Sequence, residues 1–222
     1  MKTAAILKKA FPFWDDLADK DKDMLISSAT SAEYEKGQTL HYGSDDCLGM
    51  MIVVSGCMRV YLLSDDGRDV TLYRLEKGDV CILSASCVLN SITFDVNIDA
   101  ECDTRAILVD AARFRDLAER EVEVSNYANH LSTSRFSQVM WTMQQILFMG
   151  VDRRLAIFLQ EEAQKKDTVD IRATHEQIAS YIGSAREVVS RMLKYFENEG
   201  IVSLSRGQIT IRDMSKLNAL AG

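Results

Sequence analysis

The sequence predicts an α+β chain in two units. An N-terminal antiparallel β-roll comes first, a helical unit closed by a hairpin comes last, and a long helix runs between them. Three observations predict this. Six of the eleven glycines fall at positions 37, 43, 49, 56, 67 and 78 and cut the early chain into short apolar runs. Residues 111–148 hold neither glycine nor proline, and their apolar residues recur at helical spacing. After Gly150, two helix starts lie ten residues apart and a strand–turn–strand follows. A length of 222 residues suits one large domain or two small ones. An apolar content of 47% can fill a core, and 27% charged residues argues against global disorder.

In chain order, residues 11–29 read as one or two short helices. The runs Met50–Val54, Met58–Leu63 and Val70–Leu75 have strand length and are bounded by turn residues. Between the second and third lies Ser64-Asp65-Asp66-Gly67-Arg68, whose Asp-Gly pair signals a hairpin. Two further strands are expected, Ser91–Ala100 and Thr104–Val109. In the first, Ile92, Phe94, Val96, Ile98 and Ala100 alternate with polar residues, so one face is buried.

The stretch 111–148 follows, with a helix of about 25 residues that would reach about 40 Å. Phe136, Val139, Met140, Met143, Ile146 and Leu147 form an apolar stripe. Tyr127, Leu131, Ser134, Gln138 and Trp141 form a second, weaker seam at heptad spacing. Either the helix only lies along the roll, or it uses one stripe for the roll and the other for a twin, as a dimerisation helix. The resulting division is 1–110 for the roll and its leading helices, 111–148 for the dimerisation helix and its lead-in, and 149–222 for the last unit.

That last unit opens on Leu155-Ala156-Ile157-Phe158-Leu159, an amphipathic helix. Thr174-His175-Glu176-Gln177 has the form of a capping box, and Ser184-Ala185-Arg186-Glu187 repeats it. Gly183 between them implies a tight turn, hence a helix–turn–helix. Residues 201–204 and 208–211, joined by Ser205-Arg206-Gly207, complete the order of a winged helix. In the second helix Val189, Met192, Leu193 and Phe196 share an inward side. Arg186, Glu187, Ser190, Arg191 and Lys194 share the other. Arginine matches guanine O6 and N7, and glutamate accepts from cytosine N4, so Arg186, Glu187, Ser190 and Arg191 are the candidate base readers. Thr174, Ser184, Lys194 and Arg206 are the candidates for backbone contact and support. The competing reading is a solvated face of ion pairs such as Glu187–Arg191, with Glu187 serving only its capping box.

The net charge of −7 argues against a wholly basic nucleic-acid coat. It is unevenly spread, at −8 over residues 1–148 and +1 over 149–222, with +2 in the window 171–194. So weak a positive balance calls for a dimer to hold DNA. No run of 18 apolar residues is present to span a membrane, and the N-terminus is too polar for a signal peptide, so the expected compartment is the cytoplasm. There the five cysteines would be thiols. No P-loop, dinucleotide fingerprint, H-E-x-x-H or G-x-S-x-G motif marks an enzyme, and no catalytic or metal-ligating residues are assigned.

The chain resembles the Crp/Fnr superfamily of bacterial transcription regulators over nearly its whole length. The resemblance is carried by the glycine-punctuated roll with Lys77-Gly78-Asp79 and by the long helix. It extends to Asp152-Arg153-Arg154-Leu155-Ala156 and to Gly183-Ser184-Ala185-Arg186-Glu187-Val188-Val189-Ser190-Arg191. It implies a cyclic-nucleotide-binding-like roll, a homodimer on palindromic double-stranded DNA, and RNA polymerase as a partner. By position, Arg186, Glu187 and Arg191 match the base readers of the cyclic-AMP receptor branch, and Glu187, Ser190 and Arg191 those of the fumarate–nitrate branch. Both point to a TGA-like half-site.

The sequence departs from the family where a ligand would sit. After Gly78-Asp79 it reads Val80-Cys81-Ile82-Leu83-Ser84-Ala85-Ser86-Cys87-Val88-Leu89, and no arginine lies between Arg74 and Arg105. Burying a phosphate without arginine donors is costly, which argues against cyclic AMP. No cysteine precedes Cys47, so the N-terminal iron–sulfur arrangement of the oxygen-sensing branch is absent as well. Cys81, Cys87 and Cys102 are therefore read three ways. They are core residues, or a redox, nitrosative or metal switch, or part of a pocket for an apolar ligand or haem, with His41 and His130 the histidines outside the DNA-binding half. The effector and cofactor stay open. So do two rival functions, a constitutive DNA binder without effector and a roll that binds a ligand or protein without DNA.

Overall fold

In the computed structural model, which describes residues 3–42, 49–81 and 96–222, the glycine-separated runs become strands. The fold is α+β. Among the described residues the roll holds two four-stranded sheets. One runs β1 (Ala29–Tyr34), β8 (Thr104–Val109), β3 (Met50–Ser55), β6 (Val80–Cys81). The other runs β2 (Thr39–His41), β7 (Asn97–Ala100), β4 (Cys57–Leu63), β5 (Asp69–Glu76). β3 is central in its sheet and covered on both faces. Met50 and Ile52 join one core cluster and Met51 and Val53 the other. That double burial explains a continuous apolar run in place of alternation. At Gly56, which joins β3 to β4 with φ +95°, an added Cβ would stand 2.7 Å from Thr104 Cα, so only glycine fits.

Several elements differ from expectation. An additional helix, α1 (Thr3–Ala10), precedes the region expected to be helical. That region supplies a single 3-10 turn (Trp14–Asp16) and α2 (Asp19–Ser28). β1 and β2 were not expected. β1 reads Ala-Thr-Ser-Ala-Glu-Tyr, too polar to betray a strand, yet it pairs with β8 residue for residue from Ala29–Val109 to Tyr34–Thr104. In the expected strand 91–100, Asn97 is buried where alternation would expose it, and only Asn97–Ala100 falls among the described residues as strand. The stretch 111–148 is two helices, α3 (Ala111–Arg120) and α4 (Val122–Phe148), parted at Glu121.

Phe11, Phe13, Phe114 and Tyr127 cluster where α1, α3 and α4 meet, with ring centroids 5.1–6.0 Å apart. The Tyr127 hydroxyl donates to Ala10 O at 3.0 Å. Arg120 pairs with the buried Asp21 at 3.1 Å and ties α3 to α2.

The chain divides into two compact units, Met1–Leu62 with Leu72–Val139, and Leu63–Thr71 with Met140–Gly222. The second unit comprises the end of α4, then α5 (Val151–Lys166), β9 (Asp170–Ile171), α6 (His175–Ile182), α7 (Arg186–Asn198), β10 (Val202–Ser205), β11 (Gln208–Ile211) and α8 (Met214–Ala221). It also holds the tip of the β4–β5 hairpin, where Ser64 N–H donates to Arg68 O. Its core joins Leu155, Phe158 and Leu159 of α5 to Ile178 and Ile182 of α6, Val189, Leu193 and Phe196 of α7, and Ile209 and Ile211 of β11. β9, a third strand against β11, and α8 were not expected.

Candidate nucleic-acid interface

The helix–turn–helix is assembled from local signals. The Thr174 hydroxyl accepts from Gln177 N–H at 3.1 Å, and Gln177 Oε1 accepts from Thr174 N–H at 2.9 Å, so the capping box expected at α6 is formed. α6 ends at Gly183, whose φ of +59° is left-handed. Ser184 N–H then reaches back to Ala179 O at 2.9 Å. The carbonyls left over at the turn are taken by Arg154, a buried residue of α5. Its Nη1 donates to Ile182 O at 2.6 Å and lies 3.3 Å from Gly183 O. Burial lowers the Arg154 pKa from the guanidinium's ordinary value, yet a guanidinium remains charged across the working range.

The second capping box does not form. α7 begins at Arg186 with Ala185 as its cap, and no side chain caps it. Ser184 is spent on the turn, one residue too early to cap the helix, and Glu187 is left outward.

α7 has the two faces expected of it. Val189, Leu193 and Phe196 are buried and Met192 packs beside them. Arg186, Glu187, Ser190 and Arg191 are exposed and together line one surface concavity. No ion pair joins Glu187 to Arg191 among the described residues, so the feature that would make this a self-neutralised face is missing. Lys194 pairs instead with Glu197 at 2.6 Å. Glu197 also accepts from Leu204 N–H at 3.1 Å and so links α7 to β10. The bond from Lys194, and then that from Leu204, hold the Glu197 carboxyl below the usual carboxylate range. β10 and β11 pair from Val202–Ile211 to Ser205–Gln208, and Arg206 is exposed at the tip. Thr210 donates to Asp170 at 2.6 Å, fixing β9 to β11 and lowering the Asp170 pKa.

Sequence reasoning overlooked Arg154 and Glu197. Arg154 lies within Asp152-Arg153-Arg154-Leu155-Ala156, but nothing local says that its side chain reaches a turn 28 residues on. Glu197 looked like one more charge late in a helix.

The expected seam of α4 is divided. Tyr127 and Leu131 pack against the core cluster of their own roll, whereas Ser134, Gln138 and Trp141 are exposed. Trp141 shares its exposure with Phe136, Met140, Met143 and Leu147, each of the five 45–65% exposed. From the other expected stripe, Val139 packs against the roll.

Among the candidate thiols, Cys81 is fully buried in the roll core, Cys102 is half-buried, and Cys87 lies outside the described residues. Cys57, not singled out from sequence, has its thiol pushed up to about 12 by burial and then by Glu101, which accepts its Sγ hydrogen bond at 3.4 Å. His41 is buried and His130 exposed. No set of three or more His, Cys, Asp or Glu among the described residues is placed to hold a metal ion. The enclosed arginines here are engaged. Arg59 pairs with Asp99, Arg74 with Glu101, and Arg135 donates to Val80 O and Gln138. No helix among the described residues is long and apolar enough to cross a membrane.

Comparison with known proteins agrees with this geometry. Residues 153–220 match the Crp-like helix–turn–helix domain, and residues 31–121 match the cyclic nucleotide-binding domain. A solved structure from Eubacterium rectale, assigned to the crp/fnr family of transcriptional regulators, is 44% identical. The match covers 96% of this chain and 98% of that one, with a TM-score of 0.91. The cAMP-activated global transcriptional regulator Vfr of Pseudomonas aeruginosa is 24% identical over 82% of this chain and 89% of its own. The nitrogen fixation regulation protein FixK of Bradyrhizobium diazoefficiens is 25% identical over 85% of this chain and 80% of its own.

Proposed function

The chain belongs to the Crp/Fnr family of DNA-binding transcription regulators, and from that premise we propose that it binds, as a homodimer, a palindrome of TGA-like half-sites, with one α7 in the major groove at each. The family is one of regulators and not of enzymes. The observation that carries the proposal is the outward face of α7. Arg186, Glu187, Ser190 and Arg191 share one concavity, free of mutual ion pairing, on a helix whose back is locked into a core. Arg186 and Arg191 present donors for guanine O6 and N7, and Glu187 an acceptor for cytosine N4. Thr174, Ser184, Lys194 and Arg206 support the backbone contacts. Thr174 does so at the start of α6, and Lys194 with its charge shared with Glu197.

Dimerisation through α4 is supported by Phe136, Met140, Met143 and Leu147, a run of large apolar side chains that a lone chain leaves in water. Two half-sites one turn apart, about 34 Å, then set the spacing required of the two α7 helices. The functional division is roll and leading helices (1–110), dimerisation helix and lead-in (111–148), and DNA reader (149–222). An effector or redox signal at the roll would act by biasing α4. Cyclic AMP is not proposed, because the enclosed arginines among the described residues already hold carboxylates or carbonyls. RNA polymerase is the partner the family implies, and the cytoplasm is where the DNA lies.

Fluorescence anisotropy on a labelled palindrome and on a scrambled duplex tests the proposal. Tighter, salt-dependent binding of the palindrome is expected, with affinity falling steeply as salt displaces the phosphate contacts. Equal affinity for the two duplexes would refute it.

A further inference from the structure

The end of α4 does more than present an apolar surface. From Met140 onward it belongs to the unit that carries the helix–turn–helix. Ile146 in that stretch lies over the turn. A methyl placed on Gly183 would stand 2.7 Å from Ile146 Cδ1 and 2.9 Å from its Cγ1. The same methyl would be 3.6 Å from Arg154 Nη1. The turn is therefore gripped by two side chains, by Arg154 through the carbonyls of Ile182 and Gly183, and by Ile146 through contact with Gly183 itself. Only Ser184 and Ala185 separate this grip from Arg186, and no side chain caps the start of α7 to hold it independently. A shift of the turn is thus passed directly to Arg186 and Glu187.

We infer that Ile146 is a positioning residue for base reading: its side chain, packed on Gly183 beside Arg154, sets where the first turn of α7 stands. The inference rests on α7 being the base-reading helix. It makes the last turns of α4 part of the reading device, in addition to any role of α4 in pairing two chains. Ile146 does not itself touch DNA in this account. Its effect falls on the geometry-sensitive part of affinity, the contacts to base edges, and leaves the phosphate attraction alone.

The test uses the full-length protein and two labelled duplexes, the palindrome and its scramble, in one salt. Ile146→Ala is expected to weaken palindrome binding roughly 5- to 20-fold while binding to the scramble stays nearly unchanged. Ile146→Val, which keeps the Cγ1 that meets Gly183, is expected to recover most of the loss. A merely unfolded fraction would lower both affinities in proportion, so the ratio separates positioning from stability. Gly183→Ala supplies the second arm. It should weaken palindrome binding on its own, and adding Ile146→Ala should make the combined loss smaller than the product of the two, because the shortened side chain vacates the space the new methyl needs. A wild-type protein that discriminates the duplexes, matched in this by Ile146→Ala, overturns the inference alone. So do two losses that simply multiply. A wild-type protein blind to the difference overturns the base-reading assignment and the inference with it.

Discussion

At Arg191 the guanidinium stands in solvent on α7, one residue before Met192, which packs inward. Replacing it with alanine removes the guanidinium and its bidentate donor edge from the outward face of α7 and nothing from the core. Arg191→Ala is expected to cost about 1–3 kcal/mol of palindrome binding and to relax the choice at one G·C pair, measured by titration against duplexes with each half-site base replaced. This face was legible in the sequence because a 3.6-residue period sorts α7 without knowledge of anything else. Arg154 was not, since its meaning lies in two carbonyls far along the chain. The thiols divide in the same way. Position in sequence grouped Cys81 with Cys102, but the roll buries the first completely and leaves the second half-covered. Cys57, held near 12 by burial and Glu101, is expected to resist alkylation by iodoacetamide at pH 8, as read by peptide mass mapping of the folded protein. Ready modification of Cys57 would show that its surroundings are more open.

The two expected helix caps of the reading unit make opposite predictions. Thr174 holds both bonds of its capping box, so Thr174→Ala is expected to destabilise the unit by about 1 kcal/mol, seen in denaturant unfolding. Ser184 caps nothing, and Ser184→Ala should change stability far less. The motif looked the same at both places in the sequence. What differed was where the backbone began its helix, and the left-handed turn at Gly183 decided that. The wing has its own acid sensitivity. Glu197 and Asp170 both have folded pKa values below the ordinary carboxylate range, so their stabilising bonds are complete above about pH 4.3. Those bonds are lost as pH falls through the lower folded values. Amide exchange at Leu204 is expected to accelerate below that pH relative to a buried α5 amide, and Glu197→Gln should lessen the pH dependence. Among strands, the apolar runs of β3, β4 and β5 were readable. β1 was hidden by its polar residues and β9 by its two-residue length.

Over the whole molecule, the charge of −7 resolves into an acidic N-terminal part and a nearly neutral reading unit, a division that counting charged residues along the chain is enough to reveal. Which apolar residues of α4 stay exposed was not legible in this way, because the helix carries apolar residues on several sides and only the folded chain shows which are covered. The roll core takes Tyr127, Leu131 and Val139, while Phe136, Met140, Met143 and Leu147 are exposed. Phe136→Glu with Met140→Glu is therefore expected to give monomers in sedimentation velocity and to weaken palindrome binding. An unchanged dimer would place the twin elsewhere. The central claim, that two copies of α7 read guanine in two half-sites, is tested most directly by methylation interference with dimethyl sulfate. Methylating N7 of the TGA guanine in either half-site should exclude that duplex from the bound fraction, because the acceptor for an α7 arginine is lost. Binding indifferent to both guanines, or sensitive in only one half-site, would contradict the account.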